Sequence, residues 1–536
     1  MATLSGKLNT FLQEEVSGSI VTRFRKVVME HGQKVAIKTR HGSITYTALD
    51  ELSNRLAHYM LLHMGAAKEP VALMYKHSER PIVAQLAALK ALKIYCYIDE
   101  KLEQSQQQFI VSDLTARYLF CDSACEAAAR SLTQANPSLT VINTDTLALY
   151  ESAAPVIACS EPDDAAQIVY TSGTTGTSTG VVLPHRNILS LAKSHYFDFD
   201  LGPNDSFSNL CPLWAVSSSS EIYGALLTGC SLFPFSLNDE GIASFHQWIN
   251  DQNISIITAA PALFRMLFSE GADTTLFNSV RLVKLGGDRV TTIEFDIFKQ
   301  CFGALCRLRI AYGSSEFMQA TQNIINKGYT FTGNVLPVGP QMDDCDVFIV
   351  DDERNEVPAG TEGEIAIRSC SLSLGYWRQP QLTNERFVQD PHAKDRRIYY
   401  TRDIGYCDSN GIFHYVGRKD SRVKVYGKMV WLTQVENAIA MIPGVKAAVV
   451  TTIDNQYRGT EIAACVISND SSINAQSVRA AMMGVLPMEA IPAKFDFTDQ
   501  MPLLLNNKLD KRKVKRRLLA LFENMADEAN TAGGTG

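Results

Sequence analysis

The chain lacks three features, and each absence excludes a class of protein. No charged segment followed by an apolar stretch stands at its start, so we expect no secretory signal. The most apolar window, residues 222–237, is short and interrupted by glycine and proline, so we expect no membrane partner. Lys and Arg number 50 against 57 Asp and Glu, a net charge of −7, whereas proteins that coat nucleic acid are usually basic. We therefore expect no nucleic-acid partner either.

Cysteines at metal-binding spacing are also lacking. The twelve Cys are scattered along the chain. The nearest pairs, Cys121 with Cys125 and Cys301 with Cys306, have no second pair or histidine at ligand spacing. Reduced and mostly buried thiols are the interpretation that fits this scatter, and reduced thiols are typical of the cytoplasm. The sequence therefore predicts a cytoplasmic protein.

The composition is that of a globular protein with more than one domain. Hydrophobic residues make up 46% and charged residues 20%, which excludes a wholly disordered chain. A length of 536 residues is too great for one ordinary core. Over the first 420 residues, short apolar runs alternate with amphipathic stretches, as in a predicted helix at 49–62, a predicted strand at 71–75 and a predicted helix at 81–92. This alternation predicts an α/β fold with substantial parallel sheet.

A different organisation begins near Asp420 and predicts a small α+β domain. The predicted strands are 422–425, 447–453 and 461–467, and the predicted helices are 434–442 and 477–486. Residues 526–536 are small and polar and end in Gly-Gly-Thr-Gly, which is typical of a flexible tail or linker.

The densest local signal is a Gly/Ser/Thr loop that follows a predicted strand. Residues 170–180 read Tyr-Thr-Ser-Gly-Thr-Thr-Gly-Thr-Ser-Thr-Gly. Glycines permit tight turns, and exposed N–H groups and hydroxyls suit phosphate oxygens. A polar surface loop is the alternative, but few flexible linkers follow a strand with this density. The segment therefore predicts a phosphate-binding loop.

Two other motifs fit this loop poorly. A Walker phosphate loop needs Gly-Lys-Ser/Thr, but Gly180 is followed by Val181. Residues 176–180 match the Gly-x-Ser-x-Gly pattern of a hydrolase nucleophile elbow, which requires a strand directly before Ser178 and a helix directly after it. Here a polar loop precedes Ser178, and residues 181–184 are predicted to be extended, so a serine hydrolase is disfavoured.

Seven segments in the correct order resemble the motifs of the adenylate-forming superfamily, which includes acyl-CoA synthetases, luciferases and nonribosomal-peptide adenylation domains. The Gly/Ser/Thr loop resembles the family's phosphate loop. Residues 312–316 resemble its aromatic-Gly-x-Thr-Glu motif, and residues 399–403 resemble Tyr-x-Thr-Gly-Asp. The other matching segments are 44–49, 363–376, 417–427 and 502–511. The last of these is closer to peptide-synthetase domains, either stand-alone or excised from a synthetase, than to CoA ligases.

This resemblance implies a two-part protein and a reaction. Residues 1–419 would form a large, multi-subdomain α/β part that binds ATP and an acid. Residues 420–525 would form the small, mobile α+β domain, joined at a hinge at Asp420 and carrying a catalytic lysine, Lys508, with 526–536 as a tail. The implied enzyme is an ATP-dependent acid–thiol ligase. It would convert a carboxylic acid to an acyl-adenylate and pyrophosphate, and then transfer the acyl group to a thiol.

The resemblance also implies roles for individual residues, with ATP and Mg²⁺ as cofactors. Lys508 would place positive charge between the two reacting anions, the carboxylate and the α-phosphate. Asp403 would accept hydrogen bonds from the ribose hydroxyls, with Arg418 at the ribose or a phosphate. Glu316 would hold Mg²⁺, a cation that prefers oxygen ligands. The remaining ATP-binding residues would be Thr171, Ser172, Gly173, Thr174, Thr175 and Gly176 in the loop, Tyr312 on one face of adenine and Gly287 on the other.

The chain departs from the family pattern at several positions. Ser178 and Thr179 stand where the family carries Pro-Lys, so a cation that meets the β- and γ-phosphates is missing. A charged hydrogen bond contributes roughly 1.5–3 kcal/mol, so we expect weaker ATP affinity unless another base compensates. Arg402 replaces the glycine before Asp403, and Asn507 replaces the glycine before the catalytic lysine.

The substrate pocket is the most informative departure. In amino-acid-activating members an Asp five residues before a Glu pairs with the α-ammonium group, but aligning on Glu221 puts Val216 there. An ammonium beside Val216 would be desolvated without a counter-charge. The sequence therefore predicts a small carboxylic acid without an α-ammonium group: a keto, hydroxy, aryl or short acyl acid. The pocket positions implied by the resemblance are Val216, Ser217, Ser220, Thr258, Val283, Leu285, Ala311, Gln319 and Ala320.

Two questions stay open at this point. The acceptor is expected to be the phosphopantetheine arm of a carrier protein, with free CoA as the alternative. A non-catalytic scaffold that keeps the fold and binds nucleotide is a hypothesis of another class, which the missing loop lysine supports. Residues 508–517 hold seven basic residues and one acid, and a local role at the active site explains them better than a nucleic-acid patch in an acidic chain.

Overall fold

A computed structural model describes residues 11–147, 152–156, 160–172, 178–268, 273–455, 459–468, 470–499 and 510–532. The α-helices formed by these residues are α1 Ile20–His31, α2 Tyr46–Met64, α3 Arg80–Lys90, α4 Gln104–Leu114, α5 Glu126–Ser131, α6 His185–Asp198, α7 Val216–Leu226, α8 Leu237–Glu240, α9 Ile242–Asp251, α10 Pro261–Leu267, α11 Thr292–Cys301, α12 Pro380–Arg386, α13 Leu432–Ala440, α14 Ala475–Met482 and α15 Lys511–Ala532. Short 3₁₀ helices are Gln13–Ser17, Leu132–Gln134, Thr274–Phe277, Lys419–Ser421 and Met488–Ala490.

The strands alternate with these helices along most of the chain. They are β1 Val35–Thr39, β2 Gly42–Thr45, β3 Pro70–Met74, β4 Ile94–Tyr97, β5 Tyr118–Cys121, β6 Thr140–Asn143, β7 Ala165–Ser172, β8 Ser178–Pro184, β9 Ser206–Asn209, β10 Ser231–Pro234, β11 Ile256–Ala259, β12 Leu282–Gly286, β13 Arg307–Tyr312, β14 Thr321–Ile325, β15 Asp346–Val350, β16 Gly363–Ser369, β17 Gly375–Tyr376, β18 Phe387–Gln389, β19 Arg397–Cys407, β20 Phe413–Arg418, β21 Arg422–Val425, β22 Lys428–Trp431, β23 Val445–Asn455, β24 Gly459–Ser468 and β25 Lys494–Thr498.

Two large sheets have parallel centres, as the alternation of strands and helices predicts. The eight-stranded sheet has the order β14-β13-β12-β11-β9-β10-β1-β2, with β14 and β2 as antiparallel edges. The seven-stranded sheet has the order β17-β8-β7-β4-β3-β5-β6, in which β8 and β17 are antiparallel to their neighbours. A further sheet joins β15, β16, β19, β18 and β20. The α/β fold class is therefore confirmed.

The chain divides into two compact units. The first comprises residues 1–330, 339–347 and 367–399, and the second comprises 331–338, 348–366 and 400–536. The predicted boundary between residues 419 and 420 and the hinge at Asp420 stay predictions. Asp420 lies in the 3₁₀ helix Lys419–Ser421, where its Oδ1 accepts a hydrogen bond from Arg418 Nε at 3.3 Å.

The core of the first unit explains why its helices form where they do. Helix α2 begins at Thr45, whose hydroxyl accepts a hydrogen bond from the Ala48 N–H, and ends at Gly65, where φ is 68°. Its apolar positions recur at helical spacing and are buried, among them Leu49, Leu56 and Met60. The helix predicted for residues 49–62 is confirmed and is slightly longer at both ends, because the capping residues lie just outside the apolar pattern.

The second unit contains the small sheet β23-β24-β25 with α13, α14 and α15. Helix α14 ends at Met482, short of the predicted 486, because Gly484 turns the chain with a φ of 83°. Helix α15 buries Val514 and Leu518 against β23 and β24, while the basic residues between them are exposed. It continues to Ala532, into the segment predicted as a linker, because Ala and Glu favour helix. None of the helices in the described ranges combines the length and apolarity needed to cross a membrane.

Candidate active site

The predicted phosphate loop is flanked by an antiparallel pair of strands in the first unit. Thr171 at the end of β7 pairs with Thr179 of β8, and Ser172 pairs with Ser178. The Thr171 hydroxyl lies 3.4 Å from the Thr179 carbonyl oxygen. The other four loop residues predicted to bind ATP lie outside the described residues: Gly173, Thr174, Thr175 and Gly176. Extended chain after Ser178 confirms that no nucleophile elbow is formed, because an elbow needs a helix there.

The predicted adenine contact, Tyr312, lies at the carboxyl end of β13. Its side chain is buried, and its ring centroid is 5.2 Å from that of Phe317. The turn that follows is tight, because a Cβ at Gly313 would lie 2.1 Å from the Met318 carbonyl oxygen. The Ala320 N–H then donates to the Tyr312 carbonyl at 3.0 Å, which returns the chain to the end of β13.

This same turn fixes the carboxylate of Glu316. Its Oε2 accepts a hydrogen bond from the Ser314 hydroxyl at 2.6 Å, and its Oε1 accepts one from the Tyr376 hydroxyl at 3.1 Å. Burial raises the pKa of Tyr376 to about 12, so this tyrosine stays a neutral donor at pH 7. Tyr376 also pairs with Val181 of β8, so the structure brings Glu316 close to the strand that leaves the phosphate loop.

The donor set around Glu316 suits a divalent cation that is shared with phosphates. Mg²⁺ usually takes one or two carboxylates together with phosphate oxygens and water. Among the described residues no group of three acidic, histidine or cysteine side chains is close enough to hold a metal by itself. Glu316 has oxygen lone pairs beyond those used by its two hydroxyl donors, so the residues present fit the predicted Mg²⁺ role.

Helix α7 carries three of the predicted pocket positions. Val216, Ser217 and Ser220 are half-buried near the start of the helix, and its first turn contains no acidic residue. The side chain of Asn209, at the end of β9, donates to Ser218 Oγ at 3.1 Å and to Glu221 Oε2 at 2.6 Å. These contacts hold α7 against the carboxyl end of the parallel strands.

The pocket positions on the strands fall on two faces of the eight-stranded sheet. Thr258 pairs with Lys284, and Ala311 pairs with Gly286, so Thr258 and Ala311 share the face of Lys284. Because side chains alternate along a strand, Val283 and Leu285 lie on the opposite face, where both are fully buried. Gln319 and Ala320 follow the Tyr312 turn, and the Gln319 side chain donates to Gln322 Oε1 at 3.1 Å.

Lys284 is not among the site residues predicted from the sequence. This lysine is 1% exposed and interrupts the apolar run of β12. Arg309 of β13 pairs with it in register, which places two buried cations side by side. A basic residue within an otherwise apolar strand of a parallel sheet was the available signal, because such strands are buried on both faces.

Two further predicted residues lie in the second unit. Asp403 of β19 pairs in register with Arg418 of β20, and Arg418 Nη1 lies 3.5 Å from Asp403 Oδ1. Burial opposes the charge of Arg418, but the carboxylates of Asp403 and Asp420 outweigh it and raise the pKa of Arg418. The Asp403 N–H donates to the Thr401 hydroxyl at 2.9 Å. The pair therefore forms a fixed carboxylate and a permanent cation on adjacent strands.

Gly287 and Lys508 are the two remaining positions that were predicted from the sequence. Gly287 follows β12 with a φ of 81° and is exposed. Lys508 lies outside the described residues, which resume at Asp510 before α15. The roles assigned to individual ATP-binding, pocket and catalytic residues therefore stay predictions.

The chain is similar to known proteins over most of its length. Tyrocidine synthase 3 of Brevibacillus parabrevis is 25% identical over 514 residues, which cover 96% of this chain and 8% of the synthase. The chain spans less than half the length of the first curated relatives it matches. Two solved structures share the fold. Klebsiella oxytoca NpsA in complex with 3-hydroxyanthranilyl-AMSN has a TM-score of 0.82 at 21% identity and covers 94% of this chain and 99% of its own.

The second structure is the anthranilate CoA ligase AuaEII in complex with anthranoyl-AMP. It has a TM-score of 0.84 at 19% identity, with 95% of this chain and 98% of the ligase covered. The family model described as AMP-binding enzyme matches residues 24–377, which is more than half of the chain. This match confirms the predicted resemblance to adenylate-forming enzymes and the predicted class of ATP-dependent ligase. The chain belongs to the AMP-binding enzyme family.

Proposed function

We propose that this enzyme adenylates a carboxylic acid that lacks an α-ammonium group and passes the acyl group to the phosphopantetheine thiol of a carrier protein. The observation that carries the proposal is the first turn of α7, which contains Val216 and no acidic residue. An ammonium group placed there would lose its water without gaining a counter-charge. Keto, hydroxy, aryl and short acyl acids have no ammonium group, so their binding does not include this desolvation cost.

The ATP contacts are proposed residue by residue. Tyr312 stacks on adenine, and Asp403 with Arg418 binds the ribose or a phosphate. The Gly/Ser/Thr loop between β7 and β8 binds the phosphates, and Glu316 holds Mg²⁺. When bound, Mg²⁺ neutralises phosphate charge. Lys508 stabilises the negative charge that gathers as the acid carboxylate attacks the α-phosphate and pyrophosphate leaves, because it brings a cation to the two reacting anions.

The choice of acceptor rests on the relatives. Tyrocidine synthase 3, to which 96% of this chain is similar, is many times longer than the chain, as expected of a synthase with several domains. The last motif, residues 502–511, is also closer to peptide-synthetase domains than to CoA ligases. Free CoA is the second candidate, favoured by the likeness in fold to a CoA ligase. Incubation of the acyl-adenylate with a phosphopantetheinylated carrier protein or with CoA separates the two, since the favoured acceptor forms thioester faster.

Acid-dependent ATP–pyrophosphate exchange tests the first half-reaction. We expect at least one acid from a panel of keto, hydroxy, aryl and short acyl acids to support exchange, whereas standard α-amino acids do not. Lys508→Ala should lower the exchange rate by at least roughly 100-fold, because it removes the cation between the reacting anions. Lys515→Ala is the matched control, since Lys515 is an exposed lysine of the same basic run.

Two results would contradict the proposal. Strong exchange with a standard α-amino acid would show that Val216 does not exclude an ammonium group. Exchange with no acid at all would favour the second hypothesis, a nucleotide-binding scaffold. The substitution of the loop's usual Pro-Lys by Ser178 and Thr179 is the observation behind that hypothesis. Binding of ATP without exchange would then be the result that distinguishes the scaffold from an inactive preparation.

A further inference from the structure

A row of polar side chains crosses the middle of the eight-stranded sheet. Thr258 pairs with Lys284, which pairs with Arg309, and Asn209 lies opposite Thr258 because Phe207 pairs with Ile256 two residues earlier. Paired residues in a parallel sheet point to the same face. Strands buried on both faces normally carry near-continuous apolar runs, so a polar row four strands wide needs a reason.

Helices α6 and α7 cover this face of the sheet. The Lys284 ammonium lies 5.4 Å from the ring centroid of Phe199, just after α6, and 5.6 Å from that of Phe207 on β9. On α7, Glu221 accepts a hydrogen bond from Asn209. The row therefore lies beneath the helix that carries the proposed pocket positions.

Three donors in the row are buried without a hydrogen-bond acceptor. Within the described part of the chain, Lys284 Nζ, Thr258 Oγ1 and Arg309 Nη2 have no hydrogen-bond partner, and two acceptors of the same cluster, Asn209 Oδ1 and Glu221 Oε1, have none either. Lys90 of α3 is equally buried, yet its ammonium donates to the Asp50 carboxylate at 2.7 Å, the Asp50 carbonyl at 2.9 Å and the Ser53 hydroxyl at 2.7 Å. The contrast shows that this fold satisfies a buried lysine where the lysine serves only structure.

Among the described residues, Glu221 supplies an opposite charge that acts on Lys284, but its carboxylate forms no hydrogen bond with the Lys284 ammonium. Burial lowers the pKa of Lys284, and Arg309 lowers it further, while Glu221 acts in the opposite direction. The Glu221 carboxylate is held by the Asn209 amide and the Cys211 N–H. Arg309 is linked to the Asp198 carboxylate only through Gln322, which accepts from Arg309 Nε at 3.4 Å and donates to Asp198. Buried polar groups are almost always paired, so the free donors of the row point to a ligand group.

The same face carries Thr258 and Ala311, two of the four predicted pocket positions on strands, whereas Val283 and Leu285 lie on the opposite face. Thr258 belongs to the row itself, and Ala311 lies two residues after Arg309 on β13. Gln319 donates to the same Gln322 oxygen that accepts from Arg309. The polar row is therefore continuous with the predicted pocket positions on this face of the sheet.

We infer that the acid adenylated by this enzyme carries a second carboxylate, which Lys284 binds at the end of the pocket remote from the reacting carboxylate, with Thr258 and Arg309 as further donors. This inference rests on the proposed function and names its substrate class. A carboxylate offers acceptor oxygens to all three donors and brings the counter-charge that the buried ammonium needs. An apolar acid would leave the donors unpaired, and an amine-ended acid would add a third cation to the row.

Matched sets of acids test the inference in the exchange assay with the unmodified enzyme. One set is glutarate, glutaramate, pentanoate and gamma-aminobutyrate, and the other is terephthalate, terephthalamate, para-toluate and para-(aminomethyl)benzoate. In the set that fits the pocket, we expect the dicarboxylate to exceed the methyl-ended acid by at least roughly 100-fold in kcat/KM, because a polar site strongly rejects analogues that leave it unpaired. The neutral half-amide should fall between the two.

Lys284→Met tests the assigned residue. Met has a similar length without the charge, so the ranking should reverse in favour of the methyl-ended acid. The melting temperature should stay the same or rise, because an unpaired buried charge is removed. Lys90→Met is the matched control, and it should lower the melting temperature, because it breaks three hydrogen bonds, while leaving the ranking of acids unchanged.

The possible failures are distinguishable. If no acid of any kind supports exchange, the proposed function fails and takes the inference with it. If methyl-ended or amine-ended acids match or exceed the dicarboxylates, the enzyme adenylates acids but the inference is wrong. A half-amide that exceeds its dicarboxylate would overturn the charge assigned to the ligand. A Lys284→Met variant that keeps the dicarboxylate ranking would overturn the role of Lys284.

Discussion

Arg402 has a backbone φ of 61°, in the left-handed region that favours glycine. The family carries glycine at this position, before the carboxylate proposed to bind ribose. The Arg402 N–H donates to Glu364 Oε1 at 2.8 Å, a contact that any residue can make, and its side chain is exposed. The sequence showed the replacement, but the strain became visible only with the backbone angles.

We expect Arg402→Gly to stabilise the second unit by about 1 kcal/mol, because left-handed backbone costs an ordinary residue about that much. Denaturant unfolding monitored by the fluorescence of Trp431, in a variant without the other tryptophans, measures the change. Arg422→Gly is the control, since Arg422 has an extended φ of −89° and glycine there should destabilise the unit. Equal effects of both substitutions would show that backbone strain is not the cause.

Thr179 is the second residue at which the chain departs from its family, because a lysine usually stands there. It lies on β8, opposite Thr171 and beside the phosphate loop. We expect Thr179→Lys to lower the KM for ATP by about 10-fold or more, as a charged hydrogen bond to a phosphate oxygen contributes roughly 1.5–3 kcal/mol. Thr179→Gln has a similar length without the charge and should leave the KM near that of the unmodified enzyme. An unchanged KM in both variants would mean that another cation already serves the phosphates.

At the scale of elements, helix and strand positions follow well from the sequence where apolar periodicity is strong. Helix α2 and strand β21 lie where they were predicted, because their core faces are apolar at the right spacing. The end of α14 was misplaced, because a glycine φ decides it. The polar row was missed for a different reason. Which face a strand residue occupies depends on register with neighbours distant in sequence, and periodicity within one strand does not contain that information.

The start of helix α6 makes the first unit sensitive to acid. His185 is 2% exposed, and its Nδ1 accepts a hydrogen bond from the Ile20 N–H at 3.2 Å, where α1 begins. Burial lowers the pKa of His185 to about 4. In the unfolded chain His185 binds a proton near its ordinary pKa of 6.5, whereas in the folded chain it binds one only near pH 4. Stability is therefore lost as pH falls through this window, by at most about 3 kcal/mol.

We expect the free energy of unfolding to fall less steeply between pH 6.5 and 4 in His185→Asn, whose amide oxygen can replace Nδ1 as the acceptor for Ile20. Urea unfolding at a series of pH values measures the slope. His41→Asn, at an exposed position, should keep the slope of the unmodified protein. A slope that is the same in all three proteins would remove His185 as its source.

At the scale of the whole molecule, the chain combines two compact units that contain different predicted site residues. The first unit contains the sheet, the pocket positions and Glu316, and the second contains Asp403, Arg418 and the chain that leads to Lys508. Motif order put Asp403 and Arg418 in the predicted large part, residues 1–419, whereas the second compact unit already contains the chain from residue 400 onward. The bounds of the units were not predictable from that order, because the second unit also takes in residues 331–338 and 348–366 from within the first.

A chain that ends at residue 499 should therefore lose activity while the first unit stays folded. It lacks Lys508 and α15, which buries Val514 and Leu518 only within the second unit. We expect exchange to fall by at least roughly 100-fold, as in Lys508→Ala. Three tryptophans, Trp214, Trp248 and Trp377, belong to the first unit, so fluorescence in a Trp431→Phe background reports its unfolding alone.

The control for lost packing is Leu518→Ala in the full-length chain. It removes a fully buried side chain of α15 and should cost about 2–5 kcal/mol of stability in the second unit, while Lys508 is retained. Leu521→Ala, at a position 40% exposed, should cost far less. If Leu518→Ala lowers exchange as much as truncation does, the loss reflects the packing of α15. If it keeps substantial exchange while truncation and Lys508→Ala do not, the activity depends on the lysine that the last thirty residues supply.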